Sequence, residues 1–226
     1  MISITPDGFD IPISVPSEHG QLHGQLALLP EARGLVVLAH AAMALDAREN
    51  VLADIFRHAG LSTLSVDLLS RQEERFADAH NNIPLLARRL LDFLGLLKNR
   101  MLLGELESQP IGLYAANTTS PVVVRVAALR DHDIAAIVCR GGLIDLAGML
   151  YLRSLKSPLL LLVEETDEQH IASNRRALQE VNCLKELKLT PEIGIDYATS
   201  TGFQVAAGEA AQWFARHFKV ASSTSP

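Results

Sequence analysis

Six short segments in this sequence, most of them apolar runs, are each followed at once by residues able to do chemistry. Residues 34–39 lead into His40, Ala41, Ala42 and Met43, and residues 61–66 lead into Asp67. Residues 111–115 lead into Ala116, Asn117, Thr118, Thr119 and Ser120, and residues 134–139 into Arg140, Gly141 and Gly142. Residues 159–163 lead into Glu164, Glu165, Thr166 and Asp167, and residues 184–189 into the stretch from Thr190 to Tyr197. Arg140 has the planar fork that grips a carboxylate or phosphate; alternatively it pairs with Asp145 or Asp167 to fix loops. The hydroxyls of Thr118, Thr119 and Ser120 are poor nucleophiles unless a base stands beside them. His170, three residues after Asp167, is either such a base or a histidine on a helix surface. Asp67 caps a turn or lines a site, and Glu73, Glu74 and Arg75 read as solvated loop charge.

The runs must be strands, and what lies between them helices. The segments 10–16 and 21–29 alternate loosely and carry turn residues, which predicts an antiparallel pair at the N-terminus. Residues 46–59 place Val51, Leu52, Ile55 and Phe56 at helical spacing, with Asp46 as the cap. Residues 70–82 are polar and read as a loop, and 83–98 as a strongly amphipathic helix. Helices are also predicted from Pro121 to Leu129, over 168–182 and over 204–218, the last burying Trp213 and Phe214. Strands alternating with helices form parallel βαβ units and a sheet covered on both faces, an α/β architecture. Residues 1–220 read as a single domain and 221–226 as a fraying tail. In such a sheet, sites form at the carboxyl ends of the strands, where all six chemical clusters fall.

Composition narrows the function classes. The chain has 226 residues, 48% of them apolar and 20% charged, enough to bury a sizeable core. A formal net charge of −6 argues against nucleic acid and anionic membranes as partners. No Gly-rich phosphate loop, no metal spacing of Cys and His and no aromatic-basic stripe is present, so neither a cofactor nor a metal is expected. Cys139 and Cys183 match no metal motif and read as buried free thiols. With no signal peptide and no apolar run long enough to span a bilayer, a soluble cytoplasmic protein is expected.

The ordered set LVVLAH (35–40), AGLSTLSVDLL (59–69), IPLLARRL (83–90), RGGLIDLAG (140–148), KSPLLLLV (156–163) and AAQWFARHF (210–218) resembles the α/β-hydrolases, and among them the small dienelactone-hydrolase-like subgroup. The resemblance runs from near residue 20 to residue 218. It implies an α/β-hydrolase fold: a mostly parallel central sheet, helices on both faces and an antiparallel N-terminal strand pair. It also implies a nucleophile on a sharp strand-to-helix elbow, a histidine base and a carboxylate that orients it.

Carried over residue by residue, the carboxylate is retained as Asp167, whereas the nucleophile position holds Asn117. An amide is neither usefully deprotonated nor acylated at neutral pH. The histidine position falls on Ile195 without gaps, or on Ser200 with one, and no histidine occurs between His170 and His217. The elbow has lost its flanking glycines, and Thr119 stands where close packing usually demands Gly, which suggests a relaxed or shifted turn. His40 and Ala41 stand in the oxyanion-hole segment, where backbone N–H groups do the work; His40 itself reads as a structural loop residue.

The expectation is therefore a catalytically inactive protein of this fold. It binds a small-molecule ligand or a protein partner, with His40, Ala41, Asn117, Thr118, Arg140 and Asp167 as candidate ligand contacts, or Asn117 has simply drifted into a dead elbow. A homodimer is compatible with the sequence. The alternative is an active ester or lactone hydrolase with a rebuilt site using Ser120 or Thr118, or Asp167 and Arg140.

Overall fold

The structure is a computed structural model, and it describes residues 3–5, 8–18, 20–41, 47–130, 132–193 and 200–218. The predicted cap Asp46, the candidate Ile195 and the tail 221–226 lie outside these residues. Among the described residues nine strands form one sheet: β1 (Ser3–Thr5), β2 (Gly8–Ser17), β3 (Gly20–Leu28), β4 (Leu35–His40), β5 (Ser62–Asp67), β6 (Ile111–Ala116), β7 (Ile134–Arg140), β8 (Leu159–Glu164) and β9 (Lys185–Thr190). Their spatial order is β1-β2-β3-β5-β4-β6-β7-β8-β9. The ladders from β5 through β9 are parallel, and β1, β2 and β3 run antiparallel, with β3 joining the sheet against β5. The N-terminal pair of the sequence reading thus holds, with β1 added outside it.

The helices follow the expected alternation: α1 (Ala47–His58), α2 (Ala77–His80), α3 (Ile83–Leu102), α4 (Ser120–Leu129), α5 (Met149–Ser154), α6 (Glu168–Leu178) and α7 (Thr201–His217). The central strands are continuous apolar runs because both faces are covered. Leu35, Val37 and Ala39 of β4 face a core that α3 and α4 close with Leu86, Leu90, Phe93 and Val122–Val124. Val36 and Leu38 face the opposite core, where Phe56 of α1 meets Phe203, Trp213 and Phe214 of α7. Gly112 of β6 lets α7 sit this close, since a Cβ there would lie 2.6 Å from the Phe214 ring. Cys139 is buried as expected, but Cys183 is only half-buried; both are free. Among the described residues, no helix is long and apolar enough to cross a membrane.

The chain leaves β4 for β5 on one side and returns to β6 on the other. The strand order reverses here, and in open α/β sheets ligands bind outside the carboxyl ends of the strands at such a point. His40, Ala41 and Asn117 are placed there by topology alone.

One polar cluster departs from the sequence reading. Glu73 is not solvated loop charge but is buried, with Arg89 of α3 gripping it bidentately at 2.6 and 3.0 Å. Arg89 also donates to the Leu68 carbonyl at 2.8 Å, and the Ser70 N–H and hydroxyl both donate to the Glu73 carboxylate. These bonds pin the segment after β5, which carries a 3₁₀ turn over Glu73–Arg75 and the short α2, onto α3. Burial pushes the Glu73 carboxyl up, but the hydrogen bonds from Arg89 and Ser70 outweigh it and bring it down to about 2. The pair therefore contributes stability fully above the ordinary value of 4.5 and loses it as pH falls toward about 2. Removing one partner strands the other charge in the core. Arg89→Ala or Glu73→Ala is expected to destabilise by about 3–5 kcal/mol. Glu73→Gln should flatten the acid limb of the stability curve below pH 4.5 in urea unfolding followed by circular dichroism.

Candidate functional site

Asn117 sits where β6 gives way to a 3₁₀ turn over Asn117–Thr119 and then to α4. Its φ is +52°, in the left-handed region that most side chains avoid. Strand, sharp turn and helix follow without interruption, so the elbow has neither relaxed nor shifted despite Thr119. The Thr119 side chain turns inward, and its hydroxyl donates to the Ala116 carbonyl at 2.9 Å. Asn117 and Thr118 are exposed, whereas Thr119 and Ser120 are buried.

The turn after β7 holds the elbow in place. Gly141 and Gly142 both have positive φ, and a Cβ on Gly142 would lie 2.1 Å from the Asn117 carbonyl oxygen. Ser120 Oγ donates to the Gly141 carbonyl at 2.9 Å. Gly141 N–H donates to Leu162 O of β8 at 2.8 Å. Asn174 of α6, 1% exposed, donates its amide to the Gly142 carbonyl at 2.8 Å and accepts from the Ile144 N–H at 3.2 Å. The carboxyl ends of β6, β7 and β8 and the body of α6 are thus tied into one rigid floor.

Asp167 caps α6 and accepts from the His170 N–H at 3.1 Å, while the His170 ring Nδ1 lies 2.7 Å from its other oxygen. The backbone bond from His170 holds the Asp167 carboxyl below the usual carboxylate range, against a weaker upward push from burial and with help from the ring. Arg140 is buried, and its Nε donates to Tyr114 Oη at 3.2 Å. Of the two alternatives for Arg140, the one that pairs it with Asp145 or Asp167 is not found: among the described residues neither carboxylate forms an ion pair with it. His40 and Asp67 are register partners at the ends of β4 and β5. Burial lowers the His40 imidazole from 6.5 to about 4, which leaves it neutral at pH 7. Ser200 caps α7, accepting from the Phe203 N–H at 3.2 Å. Among the described residues, no group of three or more His, Cys, Asp or Glu side chains could hold a metal ion.

A crystal structure of dienelactone hydrolase from Anabaena variabilis superposes with a TM-score of 0.83 and 29% identity, covering 94% of this chain and 100% of that one. The chain has the α/β-hydrolase fold in its dienelactone-hydrolase-like form. An esterase from an Arctic intertidal metagenomic library, at 13% identity and a TM-score of 0.71, covers 96% of this chain and 97% of that one. Est1E from Butyrivibrio proteoclasticus, at 12% identity and a TM-score of 0.69, covers 91% of this chain and 98% of its own. No protein-family model matches the chain. In sequence it is 32% identical over 196 residues to a protein of Mycobacterium tuberculosis, strains CDC 1551 / Oshkosh and ATCC 25618 / H37Rv, that bears the name "Putative phosphoribosyl transferase". That match covers 86% of this chain and 43% of the relative, so the chain spans less than half the length of the curated relatives it matches.

Of the residues singled out in the sequence, the α/β-hydrolase topology brings His40, Ala41, Asn117, Thr118, Arg140 and Asp167 to one edge of the sheet. It points them differently: Asn117 and Thr118 outward, and Arg140 toward Tyr114 beneath α7. Sequence reasoning missed Asn174, whose signal is a lone amide on the inward face of an otherwise polar helix. It also missed the need for both Gly141 and Gly142. Gly142→Ala forces a Cβ onto the Asn117 carbonyl and a side chain onto a φ of +76°. It is expected to destabilise by more than about 1 kcal/mol in urea denaturation and to shift the amide resonances of Asn117 and Ser120, while Gly208→Ala, open to solvent, leaves both unchanged.

Proposed function

We propose that the chain is a non-hydrolytic member of the α/β-hydrolase fold, a module that binds at the carboxyl edge of its sheet without cleaving what it binds. The observation that carries this reading is an elbow of intact shape built around a residue that cannot attack. Asn117 keeps a φ of +52°, and Asn is among the residue types that enter this region at least cost. Its amide offers one acceptor and two donors at the position where a hydrolase places its nucleophile.

The neighbouring hydroxyls give no replacement. Ser120 is 0% exposed and Thr119 is 3% exposed, each with its hydroxyl donated to a backbone carbonyl. Thr118 is exposed, but residues 171–216 hold no histidine to serve it from the loop before α7. The imidazole that does contact Asp167 belongs to His170, on the same turn of helix.

A second reading concerns the partner. The mycobacterial relatives extend over more than twice the matched length and bear a phosphoribosyl transferase name. An assembly role beside a phosphoribosyl transferase unit is consistent with that layout. Leu146, Met149 and Leu150, exposed after β7 near the elbow, supply apolar surface for it.

The test of the first reading is turnover of a panel of p-nitrophenyl esters and lactones, with labelling by a serine-directed fluorophosphonate. The wild type is expected to match Asn117→Ala and to take up no label. Asn117→Ser should stay within about tenfold of that control, because a nucleophile without its base recovers little. Wild-type turnover abolished by Asp167→Ala would sink the proposal and mean that this site hydrolyses through other groups.

A further inference from the structure

β9 closes one side of the sheet, and among the described residues it pairs with β8 alone. The Leu184 and Thr190 carbonyls accept from the N–H groups of Leu159 and Glu165, at either end of β8, each at 2.9 Å. Backbone groups alternate in direction along a strand, so the even-numbered residues from 184 to 190 face β8. The N–H and C=O groups of Lys185, Leu187 and Leu189 therefore point to the outer side of the sheet. No Pro stands in this strand and no bulge interrupts its register with β8. Leu184 is 59% exposed and Leu189 46%. A straight edge of this kind is a template for another strand.

Lysines on an edge strand commonly keep it single. Here both are drawn off the edge. Lys185 Nζ donates to the Val181 carbonyl, and Lys188 Nζ lies 2.5 Å from Glu209 of α7 and 3.6 Å from Glu186. Glu186 and Lys188 thus share the α7 side of the sheet, while Leu187 packs against the core on the α3 and α4 side.

The strand is complementary to itself. In a two-fold contact residue i meets j wherever j meets i. An antiparallel register that brings the outward groups together is therefore centred on Glu186, Leu187 or Lys188. Centring on Glu186 sets that carboxylate against its own copy, and centring on Lys188 does the same with two ammonium groups. Like charges directly opposite are destabilising. Centring on Leu187 sets Leu187 against Leu187, Lys185 against Leu189 and Glu186 against Lys188, the last two occurring once on each side of the axis. Lys185, Leu187 and Leu189 then exchange both backbone bonds with the other copy. Glu186 and Lys188 form the non-hydrogen-bonded pairs, where side chains approach most closely.

We propose that β9 is a homodimerisation edge: two copies of this chain pair antiparallel through it, centred on Leu187, and continue the sheet from one molecule into the other. Antiparallel pairing turns the carboxyl edges of the two copies in opposite directions, so both elbows stay open. The contact uses neither Asn117 nor Asp167, and it stands whether or not the elbow is hydrolytic.

Sedimentation equilibrium of the full chain is expected to show a monomer–dimer equilibrium with a Kd of about 10 µM, as suits a contact below the standard interface size. Leu189→Pro removes an outward N–H and leaves the β8 ladder whole, a change that edge strands tolerate. It should weaken the dimer at least about tenfold, through the bond lost on each side of the axis. Glu186→Lys and Lys188→Glu each set like charges opposite and should each weaken it at least about tenfold. Their equimolar mixture should regain association within about threefold of wild type, because Lys then faces Glu at every charged pair. Circular dichroism checks that each variant folds. A wild type that stays monomeric up to about 300 µM would overturn the proposal. So would a dimer that Leu189→Pro or both charge variants leave within about twofold of wild type, or a mixture no tighter than its separate components. If Leu189→Pro does not fold, the charge variants and their mixture decide alone.

Discussion

The contact between the Gly142 backbone and the Asn117 carbonyl is the constraint on which this molecule's functional edge depends. A Cβ at Gly142 would lie 2.1 Å from that oxygen, so the turn after β7 exists in this form only because position 142 has no side chain. From that approach follow the Ser120 hydroxyl bond to Gly141, the Gly141 bond across to β8 and the Asn174 clamp from α6. Each satisfies a polar group that would otherwise be buried at cost. Together they make the carboxyl ends of three strands and the interior of one helix move as a unit. A site built on such a floor is pre-organised whatever chemistry its side chains retain.

The second anchoring point works by charge. Arg89 reaches from α3 to Leu68, at the end of β5, and to Glu73 beyond it, closing the polar segment between them onto the helix. A buried ion pair adds little net stability over an apolar pair of similar shape, but it tolerates few alternative geometries. Here its effect is to fix where the chain leaves β5. That exit lies next to His40 in register, so the Arg89 cluster and the Gly142 turn hold the β4–β5 and β6–β8 portions of the same edge.

Much of this was legible in the sequence because parallel strands buried on both faces announce themselves as unbroken apolar runs. Runs such as LVVLAH and LLLLV fixed the sheet, and topology then required the residues after them to share an edge. What was illegible depends on contacts between distant residues. Glu73 lies in a polar stretch, and nothing local distinguishes it from Glu74; its partner is on a helix 16 residues away. Arg140 stood beside two plausible carboxylates in sequence, but its Nε meets Tyr114, 26 residues away on the neighbouring strand. The elbow looked weakened because its glycines are gone. The structure keeps the turn by turning Thr119 inward, where its hydroxyl donates to the Ala116 carbonyl. Ile195 lies outside the described residues, and Ser200 has an explanation of its own as the cap of α7.

The same geometry limits which hydroxyl can stand in for position 117 by sliding along the chain. An attacking hydroxyl must be exposed, must sit at the positive-φ turn and must have a base within reach. Moving from Asn117 to Thr119 or Ser120 enters the turn and first residue of α4, where the side chains point down into the floor. Ser120 could be exposed only by breaking its bond to Gly141, and that bond belongs to the contact set that shapes the elbow. Thr118 meets the first requirement, but it lies one residue beyond the positive-φ position. The shape of the elbow and the presence of an amide at position 117 are therefore not in conflict. The contacts that keep the turn intact are backbone contacts of Gly141, Gly142 and Ala116, indifferent to whether position 117 carries a hydroxyl or an amide. Once the amide was present, it occupied a left-handed turn at lower conformational cost than a hydroxyl residue would. Framework stability thus favours an amide over a hydroxyl residue at position 117.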